Sequence, residues 1–198
     1  MNENLTQEEK GLLLMLARQA LENGVQGKKI PAVDERQLTP LLLADGASFV
    51  TLTIHGQLRG CIGSLQPYQP LYMDVREHAV SAALEDYRFN PVQPADLPQI
   101  HIEISRLTLP VELSYRDPAD LLTRLRPEID GVILRDDMRR ATFLPQVWQQ
   151  IPSGEEFLSH LCAKMGANPA LWRQKHLEVQ VYQVEEFHEP KHGISSNP

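Results

Sequence analysis

Cysteine is scarce in this chain: Cys61 and Cys162 are the two thiols among 198 residues. They lie far apart in sequence and show no Cys-x-x-Cys spacing, which excludes a disulfide framework and a zinc ribbon and leaves at most one bridge. Long apolar runs are also missing. The longest, Leu12 to Ala17, is far too short to cross a bilayer. The opening Met1-Asn2-Glu3-Asn4 has neither a basic nor an apolar leader region, so the expectation is a cytoplasmic protein that does not enter a membrane. Positive charge is in deficit. A net charge of −7 argues against a protein that holds nucleic acid mainly through its phosphates. The arginine-rich stretch from Arg106 to Arg140 does not reverse this, because interleaved residues such as Glu112, Asp120, Asp130 and Asp136 leave it close to neutral.

Several chemical signatures are absent too. Gly56, Gly60 and Gly63 fit neither the dinucleotide-binding nor the P-loop spacing, and no Gly-Lys-Ser/Thr follows them. His101-Ile102-Glu103 matches the His-x-Glu half of zinc deaminases, but the Pro-Cys-x-x-Cys half is missing. As a pair, His101 and Glu103 suit either a proton shuttle or an exposed cross-strand polar pair. His78, His160, His176, His188 and His192 show no metal spacing and read as surface residues. The residues imply no metal and no cofactor.

What is present is an ordinary globular composition, 42% hydrophobic and 23% charged, long enough to bury its own core. Thr6 and Glu9 form a capping box ahead of an apolar stripe through Leu12, Leu13, Met15, Leu16, Ala20 and Leu21, and Gly24 is the expected stop. Ala47 to Ile54 reads as a strand, His55-Gly56 as a turn, and Leu58 to Ile62 as the returning strand. A helix over Tyr72 to Glu85 follows, then a loop from Asp86 to Val92, then a strand that buries Ile100, Ile102 and Ile104. Further expectations are a short helix from Pro118, a hairpin of Gly131–Leu134 with Ala141–Leu144, and a helical turn at Pro145. Ser153 and Glu156 cap a helix closed by Gly166, a short helix follows Asn168-Pro169, and one last strand runs from Leu177 to Phe187 with a slip in its alternation. Frequent hairpins and irregularly placed helices indicate an α+β fold with a mainly antiparallel or mixed sheet, not a doubly wound parallel one. The expectation is a single domain over 1–190 and a flexible tail over 191–198, in which Ser195 to Pro198 should fray.

The segment Leu58-Arg59-Gly60-Cys61-Ile62-Gly63 holds the strongest chemical signal. Strict alternation along a strand would project Arg59 and Cys61 from one face, and a cation beside a thiol favours the reactive thiolate. Gly60 and Gly63 would open the backbone to close approach and, with Arg59, form a concavity for a carboxylate or phosphate. The same residues also fit a small apolar thiol at a tight strand end. Ala141 to Trp148 joins a strand to a helix start, where Thr142 and Gln146 could hydrogen-bond an anion while Phe143, Leu144, Val147 and Trp148 serve the core.

Leu58-Arg59-Gly60-Cys61-Ile62-Gly63, Tyr87-Arg88-Phe89-Asn90-Pro91, Ile102-Glu103-Ile104-Ser105, Gly131-Val132 and Ala141-Thr142-Phe143-Leu144-Pro145-Gln146-Val147 occur in this order. Together they resemble the AMMECR-type domain family (AmmeMemoRadiSam system protein A-like) over about Glu8 to Phe187. The resemblance implies two unequal lobes sharing a cleft, with the Arg-Gly-Cys-Ile-Gly segment near it. It implies no established reaction. It points to a pathway shared with Memo-type and radical S-adenosylmethionine proteins, and to Cys61, Arg59, Arg88, Thr142 and Gln146 as the residues to watch. Tyr87 stands where many relatives have proline.

Two functions follow as expectations. One is an enzyme or enzyme component with Cys61 as nucleophile or thiol donor, Arg59 and Arg88 clamping a small anionic or carbonyl substrate, and Thr142 and Gln146 orienting it. The other is a non-catalytic scaffold in which the glycine-rich hairpin and the Arg88 loop recognise a partner.

Overall fold

The computed structural model describes residues 4–190. They divide into two compact units, one comprising 4–107 with 185–190 and the other 108–184. The class is α+β, as the hairpin-rich pattern indicates.

The first unit begins with α1 (Gln7–Val25), whose Thr6 and Glu9 form the expected reciprocal cap. The Thr6 hydroxyl accepts the Glu9 N–H at 3.2 Å and the Glu9 carboxylate accepts the Thr6 N–H at 2.7 Å, a pairing that contributes about 1 kcal/mol. Gly24 does not stop this helix. The helix runs on to Val25, and Gly27, at φ 66°, takes the left-handed position beyond it. Gly24 instead lets α1 approach α3 (Leu71–Leu84): a Cβ there would sit 2.9 Å from a Val80 methyl. The short α2 (Pro40–Leu43) leads into β1 (Asp45–Ile54).

β1 turns back through His55 and Gly56, both at positive φ, into β2 (Gln57–Gly63). Two consecutive left-handed residues are what a two-residue hairpin needs to match strand twist. β3 (Gln69–Pro70) adds to β1, and β4 (Ile100–Leu107) pairs with β1 on its other side, all antiparallel. The sheet order is β2-β1-β4-β9, where β9 is Val184–His188. Val50, Leu52, Ile102 and Ile104 face Leu13, Leu16, Val75 and Ala79 of the two helices and are fully buried or nearly so. Each such aliphatic side chain is worth about 1.5–3 kcal/mol on burial.

In the second unit, β5 (Val111–Glu112), α4 (Pro118–Arg124), β6 (Gly131–Asp136) and β7 (Arg139–Phe143) precede α5 (Gly154–Lys164), α6 (Leu171–Gln174) and β8 (Glu178–Tyr182). The strands form an antiparallel sheet in the order β5-β8-β6-β7. Its core packs Val132, Leu134 and Val179 against Phe157, Leu158 and Leu161, with Trp148 stacked on Phe157 at 3.7 Å between ring centroids. The one strand expected over Leu177 to Phe187 is two strands in two different sheets. The slip in alternation marks the change: Val179 and Tyr182 serve the second unit and Phe187 the first, with Gln183 outside both strands. The expected tail, 191–198, lies outside the described residues.

Candidate functional site

β2 is an edge strand, so alternate backbone groups have no neighbouring strand to bond. At Cys61 both outward groups are taken by one loop. The Asp86 carboxylate accepts the Cys61 N–H at 2.8 Å, and Arg88 Nη2 donates to the Cys61 carbonyl at 3.2 Å. The loop is closed on itself by Arg88 Nε and Nη2, which donate to Asp86 at 2.9 and 2.7 Å, and by the Arg88 N–H at 3.2 Å. Asp86 is buried while Arg88 remains exposed. The Arg88 hydrogen bonds hold the Asp86 carboxyl well below the usual carboxylate range, against the opposing effect of burial, with help from the Cys61 N–H. The same contact raises the Arg88 cation above its ordinary range, and the Cys61 sulfur adds a smaller electrostatic contribution.

Because the Cys61 N–H points away from β1, Cys61 and its partner Thr51 form a non-hydrogen-bonded pair, the kind that brings side chains closest. The Thr51 hydroxyl donates to Cys61 Sγ at 3.3 Å. Cys61 is half-buried on the sheet face opposite α3. Cys162, by contrast, is fully buried in the second core, and burial pushes its thiol up. Both thiols are free.

Arg59 departs from the alternation expected of a strand. The register steps from Leu52 opposite Gly60 to Thr53 opposite Leu58, which makes Arg59 the extra residue of a bulge. Its guanidinium lies 3.6 Å from the Asp96 carboxylate, whereas it is Arg88 that makes a hydrogen bond to Cys61, at its carbonyl. The two glycines serve packing. A Cβ on Gly60 would stand 2.0 Å from the Ala82 carbonyl of α3, and one on Gly63 would stand 2.4 Å from both the Phe49 ring and the Ser48 carbonyl. A side chain at either position would therefore meet the protein's own backbone or ring atoms.

Thr142 and Gln146 belong to the second unit. The Thr142 hydroxyl shares a hydrogen bond with Tyr182 Oη at 3.1 Å, and its carbonyl accepts from Lys164 at 2.9 Å. Gln146 is exposed in the helical turn Pro145–Gln149.

Sequence reasoning missed two features. Asp86 falls in a segment that reads as a plain loop, although an Asp two residues before an Arg is the composition of a side-chain-closed turn. His78 is buried, not a surface residue. It sits one helical turn from the buried Asp74, which accepts a hydrogen bond from Ser48 Oγ at 2.6 Å. His78 Nδ1 lies 3.2 Å from Asp74 Oδ2 but off the line a hydrogen bond requires. The i,i+4 spacing of Asp74 and His78 was the available signal. His192 lies outside the described residues, and among those described no group of three or more His, Cys, Asp or Glu side chains could hold a metal ion. Among the same residues, no helix is long and apolar enough to cross a membrane.

The family model AMMECR1 matches residues 14–187. A protein of Methanothermobacter thermautotrophicus is 37% identical over 186 residues, covering 93% of this chain and 96% of its own length. One from Methanopyrus kandleri is also 37% identical, covering 96% of this chain and 92% of its own. The crystal structure of a Pyrococcus horikoshii protein superposes with a TM-score of 0.74 at 30% identity, covering 93% of each chain. With a matching family model, relatives aligned nearly end to end and a shared fold, the chain belongs to the AMMECR1 family.

Proposed function

We propose that this AMMECR1 protein is an enzyme or enzyme component that uses the Cys61 thiol on a small anionic or carbonyl substrate, in a pathway shared with Memo-type and radical S-adenosylmethionine proteins. The observation that carries the reading is the fixation of Cys61: its N–H and C=O are both held by the Asp86–Arg88 turn, and its sulfur accepts from Thr51. A reacting thiol needs a fixed position, and these contacts supply one. Arg88 keeps Nη1 without a partner among the described residues, so it can bind an anion while Nε and Nη2 stay on Asp86 and Cys61. This proposal rests on residues of the first unit alone; Thr142, of the second, has committed its hydroxyl to Tyr182.

The test is iodoacetamide labelling of the native protein, read by peptide mass spectrometry. Cys61 is expected to label at least tenfold faster than Cys162; equal, slow labelling of both would remove the thiol from the function. One observation favours scaffolding as a second reading: Tyr87 is 95% exposed beside Arg88 on a braced turn, and Tyr and Arg are the residue types that anchor interfaces. If Cys61→Ala preserves the pathway's output while Arg88→Ala abolishes co-purification with the partner proteins, scaffolding is the function.

A further inference from the structure

Most carboxylates that leave the solvent in this protein have a donor or cation. Asp74 has Ser48, Asp86 has Arg88, Asp120 has Arg116 and Arg124, Asp130 has Arg126, and Asp136 has Lys175. Glu103 differs. It is half-buried on β4, inside a sheet whose order is β2-β1-β4-β9, and it makes no hydrogen bond or ion pair among the described residues. Solvent still reaches this carboxylate, so it stays uncommitted to any protein group and open to a reacting partner.

Its register supplies that partner. Thr51 on β1 stands opposite Cys61 on one side and opposite Glu103 on the other, so thiol, hydroxyl and carboxylate form one cross-strand row on one face. A non-hydrogen-bonded pair and a hydrogen-bonded pair place the Cα atoms of Cys61 and Glu103 about 10 Å apart. Both side chains extend over the same face, with the Thr51 side chain between them. The Thr51 hydroxyl spends its single proton on Cys61 Sγ, which leaves Glu103 as the proton acceptor of the row.

We propose that Glu103 is the general base and acid of the Cys61 site, with Thr51 as the residue that positions and polarises the sulfur. This rests on the reading of Cys61 as the reacting thiol. On a carbonyl substrate the S–H proton passes to the Glu103 carboxylate, directly or through one water, and a sulfur electron pair forms the C–S bond. The C=O π pair moves onto oxygen, which takes the proton back from Glu103. Nothing is oxidised or reduced, and no co-reactant enters. Arg88 would hold an anionic group of the same substrate at the strand edge.

The experiment is the rate of iodoacetamide alkylation at Cys61 from pH 5 to 9.5 in wild type, Glu103→Gln, Thr51→Val and Thr51→Ser. In this reaction the C–S bond forms, iodide leaves and the S–H proton goes to the base. A carboxylate that takes the proton sustains the rate at pH 5–7, well below the ordinary thiol range. Glu103→Gln should therefore lose about tenfold at pH 6 and match wild type at pH 9.5. The sign is diagnostic: by charge alone, removing a carboxylate would favour the thiolate and speed labelling. Thr51→Val should slow labelling at neutral pH severalfold, and Thr51→Ser should restore it. A Glu103→Gln profile equal to wild type, or faster at pH 6, overturns the role of Glu103; an unchanged Thr51→Val overturns that of Thr51. If wild-type Cys61 itself labels no faster than Cys162, the fault lies in the underlying reading and is recognised before any variant is made.

Discussion

The Asp86 carboxylate accepts the backbone N–H of Cys61 at 2.8 Å, and through this bond a side chain from one loop does the work of a neighbouring strand. An edge strand left bare invites pairing with other chains. Here the edge is closed at the residue that carries the thiol, and Arg88 closes the matching carbonyl. Position of the sulfur and protection of the edge thus share one cause.

Replacing Asp86 tests that cause. Asp86→Ala removes the acceptor of the Cys61 N–H and leaves the Arg88 guanidinium without its partner. Loss of a buried, charge-assisted acceptor should cost about 2–3 kcal/mol in urea denaturation. A loss below about 0.5 kcal/mol would mean that the strand edge holds itself.

Asp86 also makes a pH prediction. Its folded-state pKa is depressed, chiefly by the Arg88 hydrogen bonds, so the unfolded chain binds the proton first as pH falls. The stability it contributes is fully present above the unfolded carboxylate value of about 3.9 and is lost as pH drops from there toward the folded value. The gap in denaturation midpoint between wild type and Asp86→Asn should therefore be constant from pH 5 to 7 and narrow below pH 4. A gap that widens in acid would have the opposite sign and refute the assignment.

Gly60→Ala should fail for a steric reason. The added Cβ would lie 2.0 Å from the Ala82 carbonyl oxygen, an atom of helix backbone that cannot turn aside. Separation of β2 from α3 should destabilise the protein by about 2–3 kcal/mol. Gly56→Ala, which has open space around it and a φ of 77°, should cost about 1 kcal/mol from backbone strain alone. Thermal melting of the two variants distinguishes the mechanisms; equal losses would count against the clash.

What could be read from the sequence was local, and what could not was relational. The Thr6–Glu9 cap, the His55-Gly56 turn and the alternation of Ile100, Ile102 and Ile104 are set by neighbours in the chain, and each stands where expected. The AMMECR1 motifs were legible for the same reason. The bulge at Arg59 was not, because one extra residue changes no composition while redirecting a side chain. Nor was the partition of Leu177 to Phe187 between two sheets, although the broken alternation was its visible trace. Asp86 and Glu103 acquire meaning only through partners on other elements: Cys61 for the first, Thr51 for the second.

The buried Ser48–Asp74 contact, beside the end of the Leu58–Gly63 segment, gives the sharpest stability test. Both residues are fully buried, and the Ser48 hydroxyl donates to Asp74 Oδ2 at 2.6 Å while Ser64 reaches the other oxygen at 3.4 Å. Ser48→Ala leaves a buried carboxylate short of its best donor and should cost about 1.5–3 kcal/mol. In an Asp74→Leu background the acceptor is gone, so the same Ser48→Ala change should cost less than about 1 kcal/mol. The difference between the two costs is the coupling energy, readable from four urea curves. Equal costs in both backgrounds would show that the contact contributes nothing of its own, and that Ser48 is held by packing between β1 and α3 alone.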